Sequence, residues 1–98
     1  MLEESRDFEV LAEKFKAIGH PVRIEILSLL CNCEKLKVKN IYQSLNIDQP
    51  SISRHLGIMR RSGVLERIQI ANDTFYCLCS KSYHTECIKR CFIETDKN

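Results

Sequence analysis

The stretch that most constrains this chain is Asp48 to Gly63, DQPSISRHLGIMRRSG. Asp48 is a good helix N-cap, and Pro50 follows in the first turn, where a missing N–H costs nothing. Ile52, Leu56 and Met59 then recur at the spacing of one apolar stripe on a helix. At 100° per residue the opposite face carries Ser53, Arg54, Gly57 and Arg61, flanked by Ser51 and Ile58. Gly63 stands where a helix stops in the left-handed conformation. One face is therefore built for a core, and the other offers small donors and guanidinium groups with little bulk. Such a face suits a DNA major groove, where Arg and Gln read base edges and Ser reaches base or phosphate. An amphipathic surface helix with solvated arginines has the same pattern, so the neighbouring residues have to decide.

Upstream, Lys37 to Leu45 (KVKNIYQSL) places Val38, Ile41, Tyr42 and Leu45 on one side of a short helix. Asn46-Ile47-Asp48 joins it to the next, which is a helix-turn-helix arrangement over residues 37–63. Downstream, Val64 to Ile70 alternates strongly, and Thr74 to Cys79 follows an Asn72-Asp73 turn. Two alternating runs around such a turn predict a β-hairpin over 64–79. The expected fold class is mainly α with a β-hairpin wing, a winged helix-turn-helix in a single domain over residues 1–98.

Ahead of this unit, Phe8, Leu11, Phe15 and Ile18 form one stripe of a first helix over residues 5–18. Gly19 ends it, and His20-Pro21 opens a second, largely buried helix over Val22 to Leu30. Arg23 within that helix reads as a snorkelling or salt-bridged residue, with a phosphate contact as the alternative. His20 reads as a helix cap. His55 lies at the edge of the apolar stripe, where packing with a hydrogen bond and a phosphate contact are both open. The last segment, Lys81 to Thr95, returns to helical spacing, with Tyr83, Cys87 and Cys91 in one row.

Charge supports a nucleic-acid partner through its distribution, since the net +2 is weak. Residues 1–13 hold five acids against Arg6, whereas Lys14 to Gly63 holds nine Lys or Arg against three acids. The expected DNA-facing set is Gln49, Ser51, Ser53, Arg54, His55, Arg60, Arg61 and Arg67. No Ser/His/Asp order, phosphate loop or paired-carboxylate spacing points to an enzyme. No signal peptide or long apolar run is present, so a cytoplasmic protein without a membrane partner is expected.

Six cysteines in 98 residues are dense for a reducing compartment, where a static disulfide framework is not expected. They fall as Cys31 with Cys33, Cys77 with Cys79, and Cys87 with Cys91. Cysteines two or four residues apart can grip a soft ion or oxidise to a disulfide, and cysteine also packs as a small apolar residue. No resident cofactor is certain. With histidine scarce, a thiolate-bound soft metal or metalloid ion and an oxidation switch both remain open.

The segments FKAIGHPVRIEILSLL and SLNIDQPSISRHLGIMRRSGVLERI resemble the ArsR/SmtB family of bacterial winged-helix repressors. That family carries A-L-x-H-P-x-R-x-x-I-L, then S-Q-x-x-V-S-x-H-L in its reading helix, then an aromatic second wing strand. The resemblance covers roughly Lys14 to Leu78. It implies a homodimer joined through the first and last helices (1–18 and 81–95), bound to double-stranded operator DNA and released by an effector. Metalloid-sensing members place C-x-C on the helix before the reading helix, where this chain has Lys37 and Lys39. Zinc and cobalt sensors use D-x-H at the start of the last helix, where Ser82 and His84 stand here. An effector sensed through the six cysteines is the resulting expectation. The rival is a winged-helix module that binds protein: the wing tip Ala71-Asn72-Asp73 lacks Lys and Arg, and Gly57 weakens the reading helix.

Overall fold

Capping residues set the element boundaries in the computed structural model, which describes residues 2–79 and Arg90, with side chains from Phe8 onward. The expected last helix, and with it Ser82, His84, Cys87 and Cys91, lies outside the described residues. The order is α1 (Leu2–Ile18), α2 (Pro21–Cys31), β1 (Leu36–Lys37), α3 (Val38–Leu45), α4 (Gln49–Arg61), β2 (Leu65–Ile70) and β3 (Asp73–Leu78).

His20 caps α2: its Nδ1 accepts the Val22 amide at 3.1 Å, and Pro21 opens the helix. At the end of α3, Asn46 takes φ 55°, Ile47 N–H donates to Tyr42 O at 3.1 Å and Asn46 N–H to Gln43 O at 3.2 Å. That pair of bonds is a Schellman turn, and Asn tolerates the left-handed conformation it needs. Two residues later Asp48 accepts the Ser51 amide at 3.0 Å and the Ser51 hydroxyl at 2.9 Å. A C-cap and an N-cap thus fall within three residues and fix the angle between α3 and α4. The second helix closes the same way: Val64 N–H reaches Met59 O and Gly63 N–H reaches Arg60 O, both at 3.0 Å, with Gly63 at φ 86°.

The apolar stripes meet where the sequence places them. Ile26 and Leu27 of α2, Ile41 of α3, and Ile52, Leu56 and Met59 of α4 have no exposed surface; Leu30 and Val64 close the core. Full burial of side chains this size is worth about 1.5–3 kcal/mol each before conformational entropy is charged.

The wing differs from expectation in two ways. Its turn is Ala71-Asn72, one residue earlier than expected, so Asp73 begins β3 opposite Ile70. A third strand also joins: β1 pairs with β3 through Leu36↔Tyr76 and Lys37↔Phe75, giving the order β1-β3-β2. Lys37 therefore ends a strand and caps α3 instead of starting the helix. With only two residues, β1 has no alternation to read; its identity comes from pairing with residues 38 and 40 positions away. Among the described residues no helix is long and apolar enough to cross a membrane.

Candidate nucleic-acid interface

The solvent face of α4 and the wing share one concave surface. Gln49, Ser53, Gly57 and Arg60 of α4 face Arg67 of β2 and Thr74 and Tyr76 of β3 across a cleft of about 380 Å³. Val38 at the start of α3 completes the wall. Arg67 and Tyr76 are direct register partners, so the guanidinium stem lies beside a nearly buried ring. Ser53, Arg54, Arg60, Arg61 and Arg67 are exposed, and Ser51 is half-buried beside the Asp48 cap. The Ser51 hydroxyl already donates to Asp48, leaving it the lone pairs to offer outward.

A second concavity of about 330 Å³ adjoins the first through Gln49 and Thr74, lined also by Lys37, Lys39, Asn72 and Asp73. Sequence reasoning misses Lys37 and Lys39 as site residues because it treats them only as occupants of the C-x-C positions. The readable signal is the alternation Lys35, Lys37, Lys39. Lys37 pairs with Asp73 at 3.3 Å on the exposed surface, and the ammoniums of Lys35 and Lys37 lie 5.7 and 6.0 Å from the Phe75 ring centroid. At the hairpin tip the Thr74 hydroxyl donates to Gln69 Oε1 at 2.8 Å, and Gln69 Nε2 donates to Ala71 O at 3.4 Å.

Asp48 holds its carboxyl below the usual carboxylate value, first because the Ser51 amide and then because the Ser51 hydroxyl donate to it. His55 faces inward. Its ring is 6 % exposed and its Nδ1 accepts a hydrogen bond from Arg23 Nε at 3.0 Å. Of the two roles open for His55, packing with a hydrogen bond is the observed one, so His55 does not join the other seven residues of the expected DNA-facing set. Arg23 is likewise tied inward, its Nη1 donating to Ala17 O at 3.0 Å. Among the described residues both bonds go to neutral acceptors, a ring and a helix end, where a snorkelling or salt-bridged side chain was expected.

Residues 20–67 match the family described as bacterial regulatory proteins of the arsR family. An uncharacterised HTH-type transcriptional regulator of Methanocaldococcus jannaschii is 38% identical over 69 residues, covering 70% of this chain and 78% of that protein. The chain belongs to the ArsR family. The crystal structure of the transcriptional repressor PagR of Bacillus anthracis superposes with a TM-score of 0.77 at 30% identity, covering 88% of this chain and 95% of that one. The biofilm growth-associated repressor of Xylella fastidiosa is 36% identical over 75 residues, 76% of this chain but 64% of that longer protein. The family and these relatives are transcriptional regulators, not enzymes.

Four of the six cysteines lie among the described residues. Cys31 is the last residue of α2 and half-buried, Cys33 is exposed just beyond it, Cys77 is half-buried on β3, and Cys79 is half-buried just past its end. Cys33, Cys77 and Cys79 are free thiols. Cys77 and Cys79 share one side of β3 by strand alternation, and continuing the Leu36↔Tyr76 register sets Lys35 level with Cys77. Burial, its register partner Glu66 and Cys79 push the Cys77 thiol up. Cys77 is therefore a protonated, weakly nucleophilic thiol at neutral pH. Among the described residues no three His, Cys, Asp or Glu side chains converge into a group able to hold a metal ion.

Proposed function

We propose that this ArsR-family regulator is a homodimeric, cytoplasmic transcriptional repressor that lays α4 in the major groove of its operator. The observation that carries the reading is the joint concave surface of α4 and the wing, lined by Gln49, Ser53, Gly57, Arg60 and Arg67. Arg54 and Gln49 read base edges, Ser51, Ser53 and Arg61 approach phosphate or base, and Arg60 and Arg67 hold backbone phosphates. PagR and the Xylella protein are named as repressors, which favours repression over activation.

Homodimerisation is supported by α1, where Phe8 and Phe15, about two turns apart on one side of the helix, are 70% and 46% exposed. An apolar face of this kind on a small domain is buried when a second copy covers it. Two reading helices then meet half-sites about 34 Å apart, or a multiple. Release comes through cysteine thiols, Cys31, Cys33, Cys77 and Cys79 together with Cys87 and Cys91, by oxidation or by a soft metal or metalloid ion. An effector that favours the released state by about 1–3 kcal/mol changes operator affinity about 5- to 150-fold.

The test is fluorescence anisotropy on a duplex selected from a random library and on a random duplex of equal length. Arg54→Ala is expected to cost about 1–3 kcal/mol of specific binding and little on random DNA. A salt titration separates the rival protein-binding module, since DNA affinity falls steeply with ionic strength. For the thiols, pairwise Cys→Ser variants are assayed for release by peroxide, arsenite, cadmium and zinc. Normal release by a variant lacking all six cysteines sinks the thiol switch and leaves the DNA reading intact.

A further inference from the structure

One polar arrangement behind the reading helix has no part in touching DNA. On the inner side of α4, directly behind the exposed Arg54, the His55 ring is stacked obliquely on His20, with centroids 4.7 Å apart and planes at 50°. Arg23 of α2 spans from the end of α1 at Ala17 O to Nδ1 of His55, both at 3.0 Å. One guanidinium thus joins α1, α2 and α4 at the level of the DNA-facing turn. We propose that Arg23, through the hydrogen bond it donates to Nδ1 of His55, sets the angle of the reading helix on α2, and that a proton taken up by His55 releases it. The inference rests on the DNA-binding reading above and adds a positioning pair and a pH dependence to it.

The chemistry is one-directional. A guanidinium only donates, so Nδ1 must be bare, and the neutral ring carries its proton on Nε2. Protonation turns Nδ1 into a donor facing a donor and places a second positive charge against Arg23. Among the described residues the titratable or charged groups acting on the ring are His20 from the α1–α2 turn, Arg23 from α2 and Arg54 from α4 itself, and none of these is an acid. Burial first, then these neighbours, hold His55 below the ordinary histidine value. For a depressed value the contribution is complete above the ordinary histidine range, about 6.5, and is lost as pH falls through the lower folded value. The expected direction opposes plain electrostatics, in which added positive charge tightens DNA binding.

The experiment measures, from pH 8 to 5, the ratio of affinity for a library-selected duplex to affinity for a random duplex. Wild type is compared with His55→Asn, whose amide oxygen replaces Nδ1 as an acceptor that does not titrate. His20→Asn, a competent N-cap, removes the other ring. In wild type and His20→Asn the ratio is expected to fall about tenfold on acidification, the loss of one charge-assisted hydrogen bond. In His55→Asn it stays flat, while random-duplex affinity rises in all three. A wild-type ratio that does not fall, or a His55→Asn profile that follows wild type, overturns the proposal. Should His55→Asn not fold, nitrogen NMR of the wild-type imidazole decides: a protonated Nδ1 at pH 7.5 refutes the pair. If no duplex is bound specifically at any pH, the regulator reading fails instead. The pair then stands or falls on whether acid lowers the thermal midpoint of wild type more than that of His55→Asn.

Discussion

Gly57→Ala pits the fold against the proposed interface at a single methyl group. Gly57 sits mid-helix in α4, where glycine costs about 0.5–1 kcal/mol relative to alanine. A Cβ built there meets Arg61 Nη1 at 3.3 Å and Arg61 Cζ at 4.0 Å and nothing else. Both atoms are the free end of a flexible, exposed side chain, so the folded chain accepts the methyl by moving Arg61. Stability should therefore rise by most of the propensity difference, shifting the thermal midpoint up by roughly 2–8 °C for a domain of this size. DNA affinity should move the other way. Gly57 lines the cleft between Ser53 and Arg60, where a groove-filling helix approaches the duplex closely. An added methyl at a packed contact costs about 1–3 kcal/mol, so specific affinity drops about 5- to 150-fold. Thermal melts and anisotropy on the same preparation read both effects. Unchanged affinity with raised stability would show that this face does not meet DNA, and lowered stability would show that the local packing has been misjudged.

Leu56→Ala removes a side chain with no exposed surface and should cost about 2–5 kcal/mol in urea unfolding, a large share of the stability of so small a domain. Asp48→Ala should lower the thermal midpoint while Asp48→Ser retains it, because Ser still caps α4. Since the Asp48 value is depressed, its contribution is complete above the ordinary aspartate value of 3.8 and fades as pH falls through the folded one, visible in acid melts. Ala71→Gly should stabilise the hairpin slightly: Ala71 sits at φ 55°, a conformation costing an L-residue about 1–2 kcal/mol, against the entropy glycine brings to the unfolded chain. Phe8→Ser with Phe15→Ser should shift the sedimenting species from dimer to monomer, and a dimer that persists rules out the α1 face as its seam.

What was legible in the sequence is what local physics decides. Asp48, Gly63 and His20 announce themselves because a cap is completed within a few residues. Ile52, Leu56 and Met59 do so because a helix repeats its buried face. The strand β1 did not, because Leu36 and Lys37 are extended only through pairing with Tyr76 and Phe75. The hairpin turn slipped by one residue for a related reason: Asn72-Asp73 is the better turn dipeptide, yet the register from Leu65↔Leu78 onward leaves Ala71 and Asn72 at the tip. His55 was ambiguous because periodicity places it at a boundary, and the partner that settles it, Arg23, is 32 residues away. Lys37 and Lys39 entered the site only when β1 carried them beside the wing.

The restraints on α4 differ in kind, and that difference bears on how the regulator can be switched. The Schellman turn at Asn46 and the Asp48 cap hold one end, and the Gly63 turn holds the other. The Ile52, Leu56 and Met59 stripe seals the inner face against α2 and α3. Backbone turns and apolar contacts respond to no ion, proton or oxidant in the physiological range; they make the helix and keep it. The Asp48 cap and the bond between Arg23 and His55 are the restraints among these that a proton can break, and the second fixes orientation more than existence, because the apolar stripe remains when it goes. A helix that loses a core side chain unfolds the domain, whereas one that loses this bond keeps its fold and changes its angle. Reading a groove needs the angle, so a small ionisable tie beside a large apolar seat lets specificity change while the fold is kept.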